Sequence, residues 1–171
     1  AYRQQHVPGA IHLDYTPLVR RVPPALGLLP DAAHLSAVFS ALGLHEHLNI
    51  VAYDDEGSTK ACRLIWTLHV LGHTRASLLN GGLAAWLASG YPADHTAHTP
   101  IRREYVASID PGSVADKAYI RQHLNDPRVQ VAVSDWSDWL DVHLDDSGPD
   151  DHLVPYHWAP HLLFTWLEGE A

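Results

Sequence analysis

The sequence contains no methionine, a single cysteine and only two phenylalanines in 171 residues. With Cys62 as the lone thiol, an internal disulfide is excluded, as is any zinc cluster built on cysteine pairs. A chain so poor in thiols is expected in a reducing compartment, with the cytoplasm as default. The absence of Met even at position 1 suggests a chain that lacks its natural start or has been processed. Long apolar runs are missing as well. Stretches such as Leu162–Phe164 fall far short of the roughly 20 residues that cross a bilayer, so no membrane partner is expected. The polar opening Ala1–Gln5 does not read as a secretion signal. Basic side chains are scarce, 11 against 20 acidic ones, for a formal net charge of −9. Such a surface repels phosphate backbones, which argues against nucleic acid as a partner.

What is present is ordinary globular material, 46% hydrophobic and 18% charged. The length allows one good domain and part of a second. Pro8-Gly9 is a turn signal, because Pro presets φ and Gly tolerates φ > 0, and a short strand is expected at Ala10–Leu13. Residues 15–30 hold four prolines and read as a loop. A helix is expected to start at Pro30-Asp31, where Leu35, Val38, Phe39 and Leu42 follow the i, i+3, i+4, i+7 spacing and Gly43 marks its end. Asn49–Tyr53 reads as a short apolar strand, closed by the polar loop from Asp54 to Lys60. A helix over Ala61–Leu71 places Leu64, Ile65, Leu68 and Leu71 on one face. A strand at Ala76–Leu79, a turn at Asn80-Gly81-Gly82 and a helix at Leu83–Ser89 follow. Short apolar strands alternating with helices of about ten residues predict parallel βαβ units. Right-handed crossovers then put helices on both faces of the sheet. The fold class expected is α/β.

Residues 93–112 are polar, with Pro92 just before them and Pro100 and Pro111 along them, and suit a linker between domains. Beyond it, a helix at Ser113–Leu124, with Ser113 and Asp116 as a capping pair, and a strand at Arg128–Val133 start a new α/β unit. That unit does not continue. Residues 134–151 carry seven aspartates and two tryptophans, and 152–171 are rich in His, Pro and Trp without a period.

Four segments in order, HVPGAIHLD (6–14), ALGL (41–44), IVAYDDEGSTKACRLIWTLHVLGH (50–73) and SLLNGGLAAWLASGYP (77–92), resemble the rhodanese family of sulfurtransferases. The resemblance covers about residues 1–92. It implies a rhodanese-like domain there, with its first strand missing, because the chain opens at Ala1-Tyr2-Arg3 inside the helix that follows that strand. Residues 113–171 would be an incomplete second rhodanese-like domain and tail, as in tandem enzymes. Ser134–Trp139 resembles a motif near the end of a catalytic rhodanese domain, which would place a lost catalytic loop between Val131 and Ser134.

In catalytic members the strand ends in a Tyr-Cys pair, and inward-pointing amides at a helix N-terminus stabilise the thiolate and its persulfide. The resemblance therefore implies transfer of sulfane sulfur from thiosulfate or 3-mercaptopyruvate to a thiophilic acceptor such as cyanide. Here the strand ends Tyr53-Asp54. A carboxylate cannot carry sulfane sulfur, and Asp55 and Glu56 would repel thiosulfate. The expected site is thus a degenerate loop of Asp54, Asp55, Glu56, Gly57, Ser58 and Thr59, with no catalytic residue, no metal and no cofactor. The small sulfur-containing substrate would be handled by a second domain, against which the N-terminal domain packs. The alternative is a non-catalytic rhodanese module with a binding or regulatory role. A phosphatase on the same fold needs a loop Cys and Arg that this loop lacks.

Other residues carry plainer readings. Cys62 is expected to be a small, semi-buried residue of a packed helix. Arg63 and Trp66 match a family helix and are expected to pack or to pair with the acidic loop. Gly81-Gly82 allow a tight turn, not a phosphate loop. Among fourteen histidines, His157 and His161 stand four apart, but Pro155 and Pro160 disfavour the helix that would make them ligands. The Asp-rich segment 135–151 lacks Ca²⁺-loop spacing and reads as solvated surface. Trp158, Phe164 and Trp166 would dock on the first domain or on a partner.

Overall fold

The computed structural model describes residues 2–23 and 25–126. The chain divides into two compact units, Ala1–Ala115 and Asp116–Ala171. In the first, the expected alternation is present: α1 (Ala32–Ala41), β3 (Ile50–Ala52), α2 (Thr59–Val70), β4 (Ala76–Leu78) and α3 (Gly82–Ala88), an α/β order. β3 and β4 pair in parallel, Ile50 with Ala76, Val51 with Ser77 and Ala52 with Leu78. α2 is the crossover between them and packs on both strands.

Local chemistry explains these elements. The Asp31 carboxylate accepts the His34 N–H and so starts α1, one residue past the proline. Along α1, Leu35 and Phe39 are fully buried, one turn apart. They join Leu18, Leu44, Leu68 and Ala107 in one core cluster. At about 25 cal/mol per Å² of apolar surface, each such large side chain contributes on the order of 2 kcal/mol when fully buried.

Three segments differ from the sequence-based expectation. Residues 15–30 are not a plain loop. They contain a single 3-10 turn at Thr16–Leu18 and an antiparallel hairpin of β1 (Arg20–Val22) with β2 (Ala25–Leu28). Pro23 does not break it, since it falls in the turn, where a missing N–H removes no ladder bond. Ala10–Leu13 forms no strand. The Pro8-Gly9 turn closes with Ala10 N–H on the Val7 carbonyl, and the strand-like pairing lies earlier, as a bridge between His6 and Asp94.

The stretch expected as a linker lies along the first unit. Ser40 Oγ accepts the Tyr105 N–H at 3.0 Å, Ser36 Oγ accepts the Ala107 N–H at 2.9 Å, and Arg103 N–H donates to the Ser40 carbonyl at 3.0 Å. The Tyr105 ring meets Phe39 edge to face, 5.5 Å between centroids. Two serines of α1 thus hold a strap that has no regular structure of its own.

In the second unit the described element is α4 (Lys117–His123), preceded by a 3-10 turn at Pro111–Ser113 that belongs to the first unit. The cap is Asp116, whose carboxylate accepts the Tyr119 N–H, whereas Ser113 Oγ donates to Asp110. The helix therefore starts four residues later than Ser113. The strand expected at Arg128–Val133, the motif at Ser134–Trp139, His157, His161 and the tail aromatics lie outside the described residues.

Candidate functional site

β3 delivers Tyr53 and Asp54 at its C-terminal end, where ligands bind in open α/β sheets. Tyr53 is held from the N-terminal segment: the Val7 N–H donates to its hydroxyl at 3.0 Å. Burial raises the Tyr53 pKa, against the effect of that bond. After Asp54 the chain turns sharply into α2 through Gly57 and Ser58, both with left-handed φ, 77° and 70°. For Ser58 this conformation is a cost of roughly 1–2 kcal/mol, so the loop must be held in it.

Asp54 does the holding. Its Oδ1 accepts the N–H groups of Glu56 at 2.9 Å and Ser58 at 2.7 Å. Its Oδ2 accepts those of Lys60 and Ala61, both at 2.9 Å. Lys60 and Ala61 lie in the first turn of α2, whose N-cap residue Ser58 makes no side-chain cap. The carboxylate thus fills the positive end of the helix and the concave row of amides before it. Partial burial pushes the Asp54 carboxyl up, but the four N–H donors prevail and hold it below the usual carboxylate value. The loop is an anion cradle already occupied by its own side chain.

The remaining predicted residues surround that cradle. Asp55, Glu56, Gly57 and Thr59 are exposed, and Ser58 is half-buried. Glu56 pairs with Lys60 at 2.6 Å, and this hydrogen bond raises the Lys60 pKa. The cradle borders an open hollow lined also by His12, Tyr53, Lys60 and Leu64. Residues 54–61 include no thiol. Cys62 is exposed rather than semi-buried, one turn into α2. Arg63 does not face the acidic loop. It donates to the carbonyls of Leu18 and Leu28 at 3.1 Å each and lies 4.6 Å from the Trp66 ring centre. Gly81 and Gly82 make the turn into α3, both with left-handed φ.

A family model described as the rhodanese-like domain matches residues 1–89. The chain belongs to the rhodanese family. It is 37% identical over 123 residues to a thiosulfate sulfurtransferase of Pseudomonas aeruginosa, covering 72% of this chain and 45% of the relative. It is 32% identical over 135 residues to the human 3-mercaptopyruvate sulfurtransferase, covering 78% and 46%. Among solved structures, the rhodanese fold is shared with SseA, a 3-mercaptopyruvate sulfurtransferase of Escherichia coli, at a TM-score of 0.68 and 25% identity, over 75% of this chain and 49% of that one. This rhodanese-like chain spans a little under half the length of the curated relatives it matches.

A second cluster escaped the sequence reading. His6, Asp94 and His98 bring one potential ligand atom each within 4.8 Å of one another. The sequence signal for it is Asp94-His95-Thr96-Ala97-His98, where an acid and a histidine stand four apart. Its third member lies 88 residues earlier in the chain, and the His6–Asp94 bridge brings it near.

Proposed function

We propose that this chain supplies the silent N-terminal rhodanese-like domain of a two-domain sulfurtransferase. In that protein, sulfane sulfur from thiosulfate or 3-mercaptopyruvate passes to a thiophilic acceptor such as cyanide at a separate catalytic domain. One observation carries the reading: the Asp54 carboxylate takes up the four amides that a thiolate and its persulfide would need. With those donors occupied and a fixed negative charge at their centre, an incoming sulfur dianion meets repulsion instead of stabilisation. The domain's part is structural, packing on the catalytic domain and forming one wall of its pocket. Residues 1–115 form the silent domain, with the stretch 93–112 packed as part of it, and the residues from Asp116 onward belong to a second domain. The small sulfur substrate is a partner of that second domain, and the protein works in the cytoplasm. No described helix is long and apolar enough to cross a membrane.

The test compares this chain with its full-length protein, each given thiosulfate and cyanide. The chain alone is expected to form no thiocyanate and to show no sulfur adduct by mass, while the full-length protein forms thiocyanate. Turnover by the chain alone, or inactivity of the full-length protein with both donors, overturns the reading. A non-catalytic module with a binding or regulatory role is the second reading, favoured by the same residue Asp54. It prevails when the full gene encodes no Tyr-Cys loop downstream.

A further inference from the structure

His6 is a buried polar side chain, 1% exposed, with both ring nitrogens facing carbonyl oxygens. Nδ1 lies 2.8 Å from the Tyr2 carbonyl and Nε2 lies 3.1 Å from the Thr96 carbonyl. Carbonyl oxygens only accept, and a neutral imidazole carries a single N–H. With that proton on Nδ1, at the shorter contact, Nε2 points a lone pair at another lone pair in a site closed to solvent. A positive charge relieves that contact, carried either by a second ring proton or by an ion bound at Nε2.

Two further donors converge there. The Asp94 Oδ2 is 2.8 Å from His98 Nε2, and ligand atoms of all three residues lie within 4.8 Å of one another. Asp94 is fixed for the role, since its Oδ1 accepts the N–H groups of His95 and Thr96. These bonds, with that of His98, hold the Asp94 carboxyl well below the usual range, so it is ionised at neutral pH. The two backbone segments are clamped by a reciprocal pair, His6 N–H to Asp94 O at 2.9 Å and Asp94 N–H to His6 O at 2.8 Å. The Tyr2 ring stacks on His6, 4.0 Å between centroids.

We propose that His6, Asp94 and His98 form a binding site for a divalent transition-metal ion of the zinc class. Two imidazole nitrogens and a carboxylate oxygen are a favourable donor set for such an ion, with water completing the coordination. The bond from His6 Nδ1–H to the Tyr2 carbonyl is the outer contact that fixes the tautomer of a ligating histidine. Ligand atoms about 2.0–2.2 Å from a tetrahedral ion stand roughly 3.4 Å apart, so His98 and Asp94 must separate by about half an ångström, and the Thr96 carbonyl, 3.1 Å from His6 Nε2, must turn aside or join the ion as a ligand. His98 is exposed and free to make that move. On binding, the Nε2 proton of the neutral His98 ring passes through water to Nδ1, which frees the Nε2 lone pair for the ion with no change of oxidation state. The ion would clip the N-terminal segment to residues 94–98, and as a ligand of the folded state alone it would stabilise the fold. This site is separate from the Asp54 cradle and does not depend on the reading of that cradle.

The test uses the chain freed of metal by a chelator. Zn²⁺ is titrated by calorimetry, and Co²⁺ is followed by its visible absorption as a reporter of low coordination number. One site per chain is expected. His98→Ala and Asp94→Asn should each weaken Zn²⁺ binding at least tenfold and abolish the Co²⁺ spectrum. The double variant His157→Ala/His161→Ala should bind like the parent. His98 is chosen over buried His6 because its exposed ring can be removed without disturbing the core, and thermal melting of each metal-free variant checks this. Absence of saturable binding, equal affinity in the His98 and Asp94 variants, or loss of the site in the tail variant overturns the proposal.

Discussion

The carbonyl oxygen of Asp54 lies so close to Gly82 that a Cβ at Gly82 would overlap it. The acidic loop after β3 and the start of α3 therefore touch backbone to backbone, and the φ of Gly82, +57°, adds a second demand for glycine. Gly82→Ala should lower stability by about 2 kcal/mol or more, because the backbone contact cannot yield as a flexible side chain would. Urea denaturation of the variant measures it. A loss under about 0.5 kcal/mol, the range of ordinary surface changes, would show that the loop shifts freely.

Asp54 holds its loop through four amides, so its replacement should loosen the loop. Asp54→Ala is expected to cost about 1–3 kcal/mol, the usual loss for unpaired partners of a charged acceptor. Asp54→Asn should not rescue it, since one side of the amide would set N–H groups against N–H groups. Hydrogen exchange at Glu56, Ser58, Lys60 and Ala61 should rise in both. Unchanged protection would show that the turn stands without the carboxylate.

The same carboxylate predicts a dependence on pH. Its folded pKa is lowered from the ordinary value of 3.8, so the unfolded chain binds this proton more readily than the folded one. Stability from Asp54 is then fully present above the unfolded pKa and is lost as pH falls through the folded one. Unfolding free energy measured from pH 6 down to pH 2 should fall less steeply in Asp54→Asn than in the parent. Parallel curves would remove Asp54 from the acid response.

Arg63 ties α2 to the turn and the hairpin by donating to the Leu18 and Leu28 carbonyls. A lysine has no planar fork to serve both, so Arg63→Lys should cost roughly 1–3 kcal/mol. Faster hydrogen exchange across residues 18–28 would mark the loss. An effect confined to α2 would show that the hairpin is held by other contacts.

Cys62 is the one thiol and is exposed. A disulfide reagent should label it in the native protein at a rate within about tenfold of that in denaturant, leaving the far-ultraviolet dichroism unchanged. Strong protection of the thiol would contradict the exposed placement.

Much of the fold was legible in local pattern. Asp31 as a cap, Leu35 and Phe39 a turn apart, the apolar run before Tyr53 and the Gly81-Gly82 turn are each decided within a few residues. The prolines of 15–30 misled, because Pro marks a hairpin turn as readily as a loop. The strap from 103 to 110 was invisible for another reason: its anchors, Ser36 and Ser40, lie more than sixty residues away.

The sequence by itself determined that an aspartate, Asp54, follows Tyr53 at the end of the apolar run, because a residue's identity is a local fact. Only the tertiary structure decided what Asp54 does there. Its four amide partners depend on the left-handed turn at Gly57-Ser58 and the axis of α2, which are properties of the folded backbone. Likewise, His6 and Asp94 meet through a bridge between distant segments, a pairing that no spacing along the chain encodes.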